Sequence, residues 1–420
     1  MNDDNKAFID FVRDLLHIDA GFHISRIERT SSPEAFIRIY LDYQLPYCEI
    51  GGIRYDLYDH APVRTWQHLS WFEYPCFIVC RLPRYIDGAG KVKTIEVSFA
   101  QKGKSYTNLF AANVISALQE IRVQNSVANL FRTSPYIVRS IMESAVNDAL
   151  DARGVVTDLQ TISLDEKAFK KGHNYATILI DSQKDYVVDM TEGRAEKDVK
   201  TLFYCISSQE EQPQLRRVNM DMWKPYINVV KEIAPQAMIV HDKFHIIKKL
   251  SEAIDKTRRK EVKNEPLLKN NRFTVLKNEQ NRTQNQQSIF EQLDRANLKT
   301  AQAWHIRENF KSLFEIQDRT VSGSLLWDWI ENSMTKGLNF VNDVINTIKN
   351  HARGVVNALT TRTDSGKHEN VNGRIQAIVA KARGFNNFER FRINVLYDNK
   401  KINIQCIKRY MNTTLLFNPL

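Results

Sequence analysis

The sequence predicts an α/β fold that carries an all-helical insertion. Three apolar runs rich in β-branched residues follow one another between 161 and 193. Strand-like and helix-like runs then alternate from about 195 to 260, and residues 262–345 keep helical periodicity with few β-like runs.

The three runs are TISLDEKAF (161–169), YATILIDS (175–182) and DYVVDMTEG (185–193). Short polar connections suited to hairpins join them, so they predict consecutive antiparallel strands. A helical segment around 195–209 follows. RRVNMD (216–221) reads as a short buried strand, WKPYINVVKEIAP (223–235) has helical spacing, AMIV (237–240) is strand-like, and a long helix runs from about 243 to 260. This is the element order of a ribonuclease-H-like core, in which a mixed sheet sets the ends of its first and fourth strands side by side.

That adjacency would bring Asp165, on the first strand, close to Asp221, at the end of the fourth, although 56 residues separate them. Close carboxylates repel unless a cation lies between them, and hard divalent ions such as Mg²⁺ prefer carboxylate oxygens. A pair of such ions about 3.5–4 Å apart activates an attacking oxygen and stabilises the leaving oxygen of a phosphodiester. A third acid is expected from a later helix. In TRTDSGKHENVNGRIQAIVAKARGF (361–385), Thr363, Asp364 and Ser365 are cap residues, and Ile375, Ile378, Val379 and Ala382 form an apolar stripe. Glu369 falls in the first turn, and Arg374, Lys381 and Arg383 supply charge for phosphates.

SIFEQLDRA, AQAWHIRENFKSLFEI, LLWDWIENSM and FVNDVINTIKNHARGVVNAL make the intervening 262–345 an all-α unit, since so long a segment is unsuited to a loop. The leader NNRFTVLKNEQNRTQNQQ is polar and turn-rich. Upstream, residues 105–150 predict three helices. SVANLFRTSPYIVRSIMESAV places a short helix, a Thr-Ser-Pro turn and a second helix in helix-turn-helix style, with Tyr136 and Arg139 toward a DNA groove.

Net charge is +10 with a pI near 9.2, which favours polyanionic partners. The excess is uneven: residues 1–60 hold 6 basic and 11 acidic residues, whereas 246–284 hold 11 and 5, and 381–410 hold 8 and 2. The first basic segment includes Lys248, Lys249, Arg258 and Arg259. A solvated helix face is the alternative reading of either segment. Apolar runs fall short of the roughly 20 residues that span a bilayer, and MNDDNKAF lacks the pattern of a signal peptide, so a cytoplasmic location is expected. Five scattered cysteines without a CxxC pair indicate neither a disulfide framework nor a standard zinc site.

The blocks SLDEKAFKKGHNYATILID, VNMDMWKPY, IVHDKFHIIKKLSEAIDKTRR and HENVNGRIQAIVAKARGFNNFERFR, in this order, resemble the insertion-sequence transposases of the ISL-three family. The resemblance implies a bacterial, nucleoid-associated DDE transposase with Asp165, Asp221 and Glu369 as catalytic, Mg-binding acids for two ions, Mn being able to substitute. It also implies double-stranded DNA partners, namely terminal inverted repeats and target, and a homodimer or larger assembly on DNA. In this family and its distant relatives a C/D-x-x-H signature follows the second acid by about 20 residues; here Asp242-Lys243-Phe244-His245 begins 21 residues after Asp221. Asp242 and His245 are accordingly read as an auxiliary pair, and His241 as incidental. Trp223 is open to two readings, a stacking surface for an unpaired base or a core residue.

Where the family carries a zinc ribbon with two CPxCG knuckles, this chain has CEIGG (48–52) and IDGAG (86–90). Cys48 is kept, but Gly51, Ile86 and Ala89 cannot bind zinc. A β-rich, degenerate zinc-ribbon-like module without zinc is expected, with Cys76 and Cys80 as buried apolar residues. The domains expected are 1–104 for this module, 105–155 for the helix-turn-helix, 156–261 and 346–420 for the core, and 262–345 for the insertion. The alternative function is a DNA-binding regulator derived from a transposase with lapsed nuclease activity.

Overall fold

Alternating apolar and polar residues from 22 to 94 fold as eight strands in the computed structural model. It describes residues 3–16, 18–19, 21–31, 35–170, 172, 174–207, 213–361 and 365–398, the side chains of 3–6 and 365–369 excepted. The chain divides after Ala152 into two compact units.

The first unit begins with α1 (Asp3–Leu15), β1 (Phe22–Thr30), β2 (Phe36–Tyr43), β3 (Tyr47–Ile50), β4 (Ile53–His60), β5 (Arg64–Trp71), β6 (Tyr74–Cys80), β7 (Pro83–Ile86) and β8 (Val92–Thr94). One sheet has the order β1-β2-β6-β5 and the other β3-β4-β7-β8. Cys76 and Cys80 lie four residues apart on β6, hence on one face, and both are buried beside Trp66, Ile39 and Ile78. Burial pushes both thiols up to about 12, so they behave as apolar residues, as expected.

The second sheet contains the two degenerate knuckle segments. Gly51 and Gly52 form the β3–β4 turn with φ of +58° and +80°, the left-handed pair that a two-residue hairpin requires. In the β7–β8 turn Asp87 Oδ1 accepts from the amides of Ala89 (3.0 Å) and Lys91 (2.8 Å). Cys48 is buried in the apolar cluster and Ile86 is exposed.

Three helices follow: α2 (Asn108–Ile121), α3 (Gln124–Leu130) and α4 (Pro135–Arg153). Thr107 caps α2, Ser134 accepts from the Ile137 amide at the start of α4, and Pro135 stands at the first helical position, where it needs no N–H partner. The expected break at 104 is bridged. Buried Gln67 of β5 donates to the carbonyls of Phe131 and Arg132 and accepts from Thr133 Oγ1, holding the α3–α4 turn against the sheet.

In the second unit β9 (Thr161–Lys170), β10 (Asn174–Asp181) and β11 (Tyr186–Glu192) form the antiparallel meander. Then come α5 (Glu196–Phe203), β12 (Arg217–Met220), α6 (Lys224–Ile233), β13 (Met238–His241) and α7 (Lys243–Glu261). The sheet order is β11-β10-β9-β12-β13, with β12 parallel to β9 and β13 parallel to β12. Apolar residues of α5 and α6, among them Val199, Phe203, Val229 and Val230, bury one face of this mixed α/β sheet.

The insertion is helical as expected: α8 (Arg272–Leu276), α9 (Gln284–Arg295), α10 (Lys299–Ser312), α11 (Ser322–Ser333) and α12 (Asn339–Asn350), followed by α13 (Ala352–Thr361), α14 (Ser365–Lys381) and α15 (Phe388–Asp398). The boundary expected at 345 falls inside α12. One apolar cluster joins Ile246, Leu250 and Ile254 of α7 to Phe310, Val341 and Val355, so α7 and α13 share the insertion's core. Glu261, at the end of α7, accepts from the amides of Lys299 and Thr300 (both 2.9 Å) and so caps α10 from a distance. The polar leader is anchored, since Val275 is fully buried and Trp304 donates to the Lys277 carbonyl.

Candidate functional site

The parallel pairing of β12 with β9 sets Asn219 opposite Ser163. Two residues further on, Asp165 still lies within β9 and Asp221 stands just past the end of β12. Both carboxylates line one cavity with Asp242, His245, Lys243 and Asn372. Beneath them a polar layer keeps the strands aligned: Asn219 Nδ2 donates to Ser163 Oγ (3.2 Å) and Ser182 Oγ (3.3 Å), and the two hydroxyls share a 2.8 Å hydrogen bond.

The two acids meet different surroundings. Asp165 Oδ1 accepts from the Glu166 amide, while its buried Oδ2 accepts no hydrogen bond and faces Lys167 Nζ at 3.5 Å. Asp221 Oδ1 accepts from the Trp223 amide at 2.8 Å. Burial pushes the Asp221 carboxyl above its ordinary range, and the charges of His245 and Lys249 pull the other way. A desolvated carboxylate beside one with an unsatisfied oxygen is stabilised by a cation. The oxygen donors present therefore fit a hard divalent ion. Among the described residues no group of three His, Cys, Asp or Glu side chains forms a complete metal site. Glu369 has its backbone in α14, and its side chain lies outside the described residues.

The two histidines and the aspartate of IVHDKFH (239–245) separate by role. Asp242 caps α7, accepting from the Phe244 amide through Oδ1 and from His245 Nδ1 through Oδ2, each at 2.8 Å. The bond to Asp242 raises the His245 pKa against the opposing effect of burial. His241 is buried, edge-on to His351 at 5.3 Å, and burial lowers its pKa to about 4. It belongs to the packing, as its incidental reading implied.

Trp223 precedes α6 and donates from Nε1 to the Arg194 carbonyl (3.1 Å). The Arg194 guanidinium lies 4.6 Å from the Trp223 ring and 4.5 Å from that of Tyr175, and it bonds Glu166. One ring face is thus taken by an arginine, and the residue remains about one-third exposed. Arg194, Lys167 and Asn372 were not picked out from the sequence. Asn372 stands one turn beyond Glu369, a spacing that offered a signal for it.

The basic candidates are scattered. Lys248 and Lys249 are exposed on α7, as are Lys381 at the end of α14 and Arg383 just past it. Arg374 donates to the Asp185 carbonyl. Arg258 and Arg259 bond the buried carboxylate of Asp255, and the Arg258 side chain is only 13% exposed, so its first role is to neutralise that charge. Tyr136, exposed, and Arg139, half-buried, belong to the first unit. No described helix is long and apolar enough to cross a membrane.

A family model described as a transposase of the DDE, ISL3 type matches residues 162–395, more than half of the chain. The chain belongs to the ISL3 family of DDE transposases. The resemblance drawn from the motif blocks holds. This transposase is 24% identical over 389 residues to the transposase for insertion sequence element IS1001 of Bordetella parapertussis, covering 89% of this chain and 94% of the relative. The transposase for insertion sequence element IS1557 of Mycobacterium tuberculosis is 22% identical over 368 residues, with 80% and 82% covered. A Drosophila P element transposase strand transfer complex covers 73% of this chain and 95% of that one at 11% identity, with a TM-score of 0.36, an overlap too loose to bear on function.

Proposed function

We propose that this transposase binds the terminal inverted repeats of its insertion sequence and catalyses Mg²⁺-dependent DNA strand cleavage and strand transfer. The observation that carries the reading is that Asp165 of β9 and Asp221, just past the end of the adjacent β12, line one cavity. The sheet order β11-β10-β9-β12-β13 supports a ribonuclease-H-like core. Asp165, Asp221 and Glu369 would hold the metal, which when bound would supply activation of an attacking oxygen and charge stabilisation of a leaving one. Asp242 orients His245 at the cavity wall. Lys248, Lys249, Lys381 and Arg383 contact phosphates, which confers affinity without sequence preference.

Base recognition is assigned to the first unit, through Tyr136 and Arg139 in the α3–α4 motif. Its β3-β4-β7-β8 sheet supports a ribbon-like module in which Gly51, Ile86 and Ala89 stand at three knuckle positions. One chain must engage two element ends and a target, which favours a dimer or larger assembly on DNA.

The test is cleavage of labelled DNA carrying the element ends. Asp165→Asn, Asp221→Asn and Glu369→Gln should each abolish Mg²⁺-dependent cleavage while leaving the mobility shift on DNA largely intact. Wild-type cleavage by any one of them removes that residue from the site. A wild-type protein that binds the repeats but cuts under no metal condition would favour the regulator reading, to which the altered knuckles lend some support.

A further inference from the structure

We propose that Asn372 donates its side-chain oxygen to the divalent cation at the carboxylate site. The inference rests on the reading of Asp165 and Asp221 as cation ligands.

Asn372 lies on α14 one turn after Glu369 and lines the same cavity as Asp165 and Asp221. Its Oδ1 is buried and accepts no hydrogen bond from the described residues, the condition also of Asp165 Oδ2. Buried side-chain oxygens nearly always have a partner, so two orphans from different elements in one cavity need a common explanation. Three of the described donors around the cavity are engaged elsewhere. His245 Nδ1 is bonded to Asp242, Lys243 Nζ sits over the Phe314 ring at 4.5 Å, and the Ser163 hydroxyl is shared with Ser182. Lys167 approaches the Asp165 oxygen alone, at ion-pair distance.

A hard cation supplies what is missing. It binds amide and carboxylate oxygens alike, and a neutral amide adds a ligand without adding repulsion between acids. Leu164, Ile180, Met220 and Val240 add an apolar lining to the cavity beside the polar Ser163 and Asn219. Val371 and Ile375, both buried, fix the face of α14 that presents Asn372.

Calorimetric titration of the full chain with Mn²⁺, without DNA, tests this alongside thermal melting of the metal-free protein. Asn372→Ala should weaken Mn²⁺ binding roughly 10-fold or more, the loss typical of a supporting group at a metal site. It should leave the metal-free melting temperature unchanged, because an orphaned acceptor takes no bond with it. Asn372→Asp, which keeps an oxygen there, should retain wild-type affinity or exceed it; it also carries the test if the alanine variant fails to fold, affinity below wild type then counting against the proposal. Unchanged Mn²⁺ affinity in folded Asn372→Ala, with Asp165→Asn impaired, overturns the role of Asn372 and leaves the carboxylate reading standing. No saturable binding by wild type, or wild-type affinity in Asp165→Asn, overturns both.

Discussion

Asp242 serves two donors at once: Oδ1 accepts from the Phe244 amide and Oδ2 from His245 Nδ1, both at 2.8 Å. A single carboxylate thereby ends β13, begins α7 and orients an imidazole toward the cavity that contains Asp165 and Asp221. Asp242→Asn keeps a cap-competent side chain and removes the charge, so the His245 pKa should fall, as followed by its imidazole NMR shifts. The folded pKa of His245 lies above its unfolded value of about 6.5, so the pair's contribution is full below that pH and is lost as pH rises through the folded value. The stability gap between wild type and Asp242→Asn should therefore narrow with rising pH. Asp242→Ala should cost about 1 kcal/mol more through loss of the cap.

Gly354 of α13 is a packing requirement of His241. A Cβ there would stand 2.4 Å from His241 Cδ2. Gly354→Ala should destabilise the second unit by about 1–3 kcal/mol, the usual range for overpacking, and adding His241→Ala should recover part of it in chemical denaturation.

His241 also sets an acid limit. Its folded pKa, about 4, is below the unfolded value, so the unfolded chain takes up a proton first as pH falls. Stability should decline between roughly pH 6.5 and 4, and His241→Phe should flatten that part of the profile.

Asp221→Asn should raise the stability of the metal-free protein at neutral pH. Burial raises the carboxyl pKa in the folded state, so ionisation at pH 7 works against folding and an amide of equal size does not. Mg²⁺ should raise the melting temperature of wild type more than that of the variant. Equal shifts would separate Asp221 from metal binding.

The first unit is expected to supply selectivity for the element ends. Residues 153–420 should bind DNA with steep salt dependence and little preference for the terminal repeat, whereas the whole chain gives a repeat-specific footprint. The truncation should begin at Arg153, because Arg153 donates to the Val188 carbonyl within the second unit. Equal protection by both proteins would move recognition to the helical insertion. Elemental analysis of the whole chain should find no stoichiometric zinc, and about one zinc per chain would point to ligands other than the two knuckle segments.

What the sequence determined by itself was everything that follows from periodicity and chain-local chemistry. Apolar, β-branched-rich runs marked β9 to β11, and 3.6-residue spacing marked α6, α7 and the insertion. Strand order was enough to bring Asp165 toward Asp221, because the buried apolar residues of both strands fix which face each presents. What only the tertiary structure decided was the partner of each polar side chain. Arg258 looked like a DNA contact because its helix is basic, yet it is drawn to Asp255, a buried acid three residues away that cannot stay charged alone. Gln67 ties a strand to a turn more than sixty residues on, and Asn372 lines a cavity built by strands that lie well over a hundred residues earlier. The reason is physical: burial of an apolar face is encoded by spacing along the chain, whereas satisfaction of a polar atom depends on which distant group packing brings within about 3 Å.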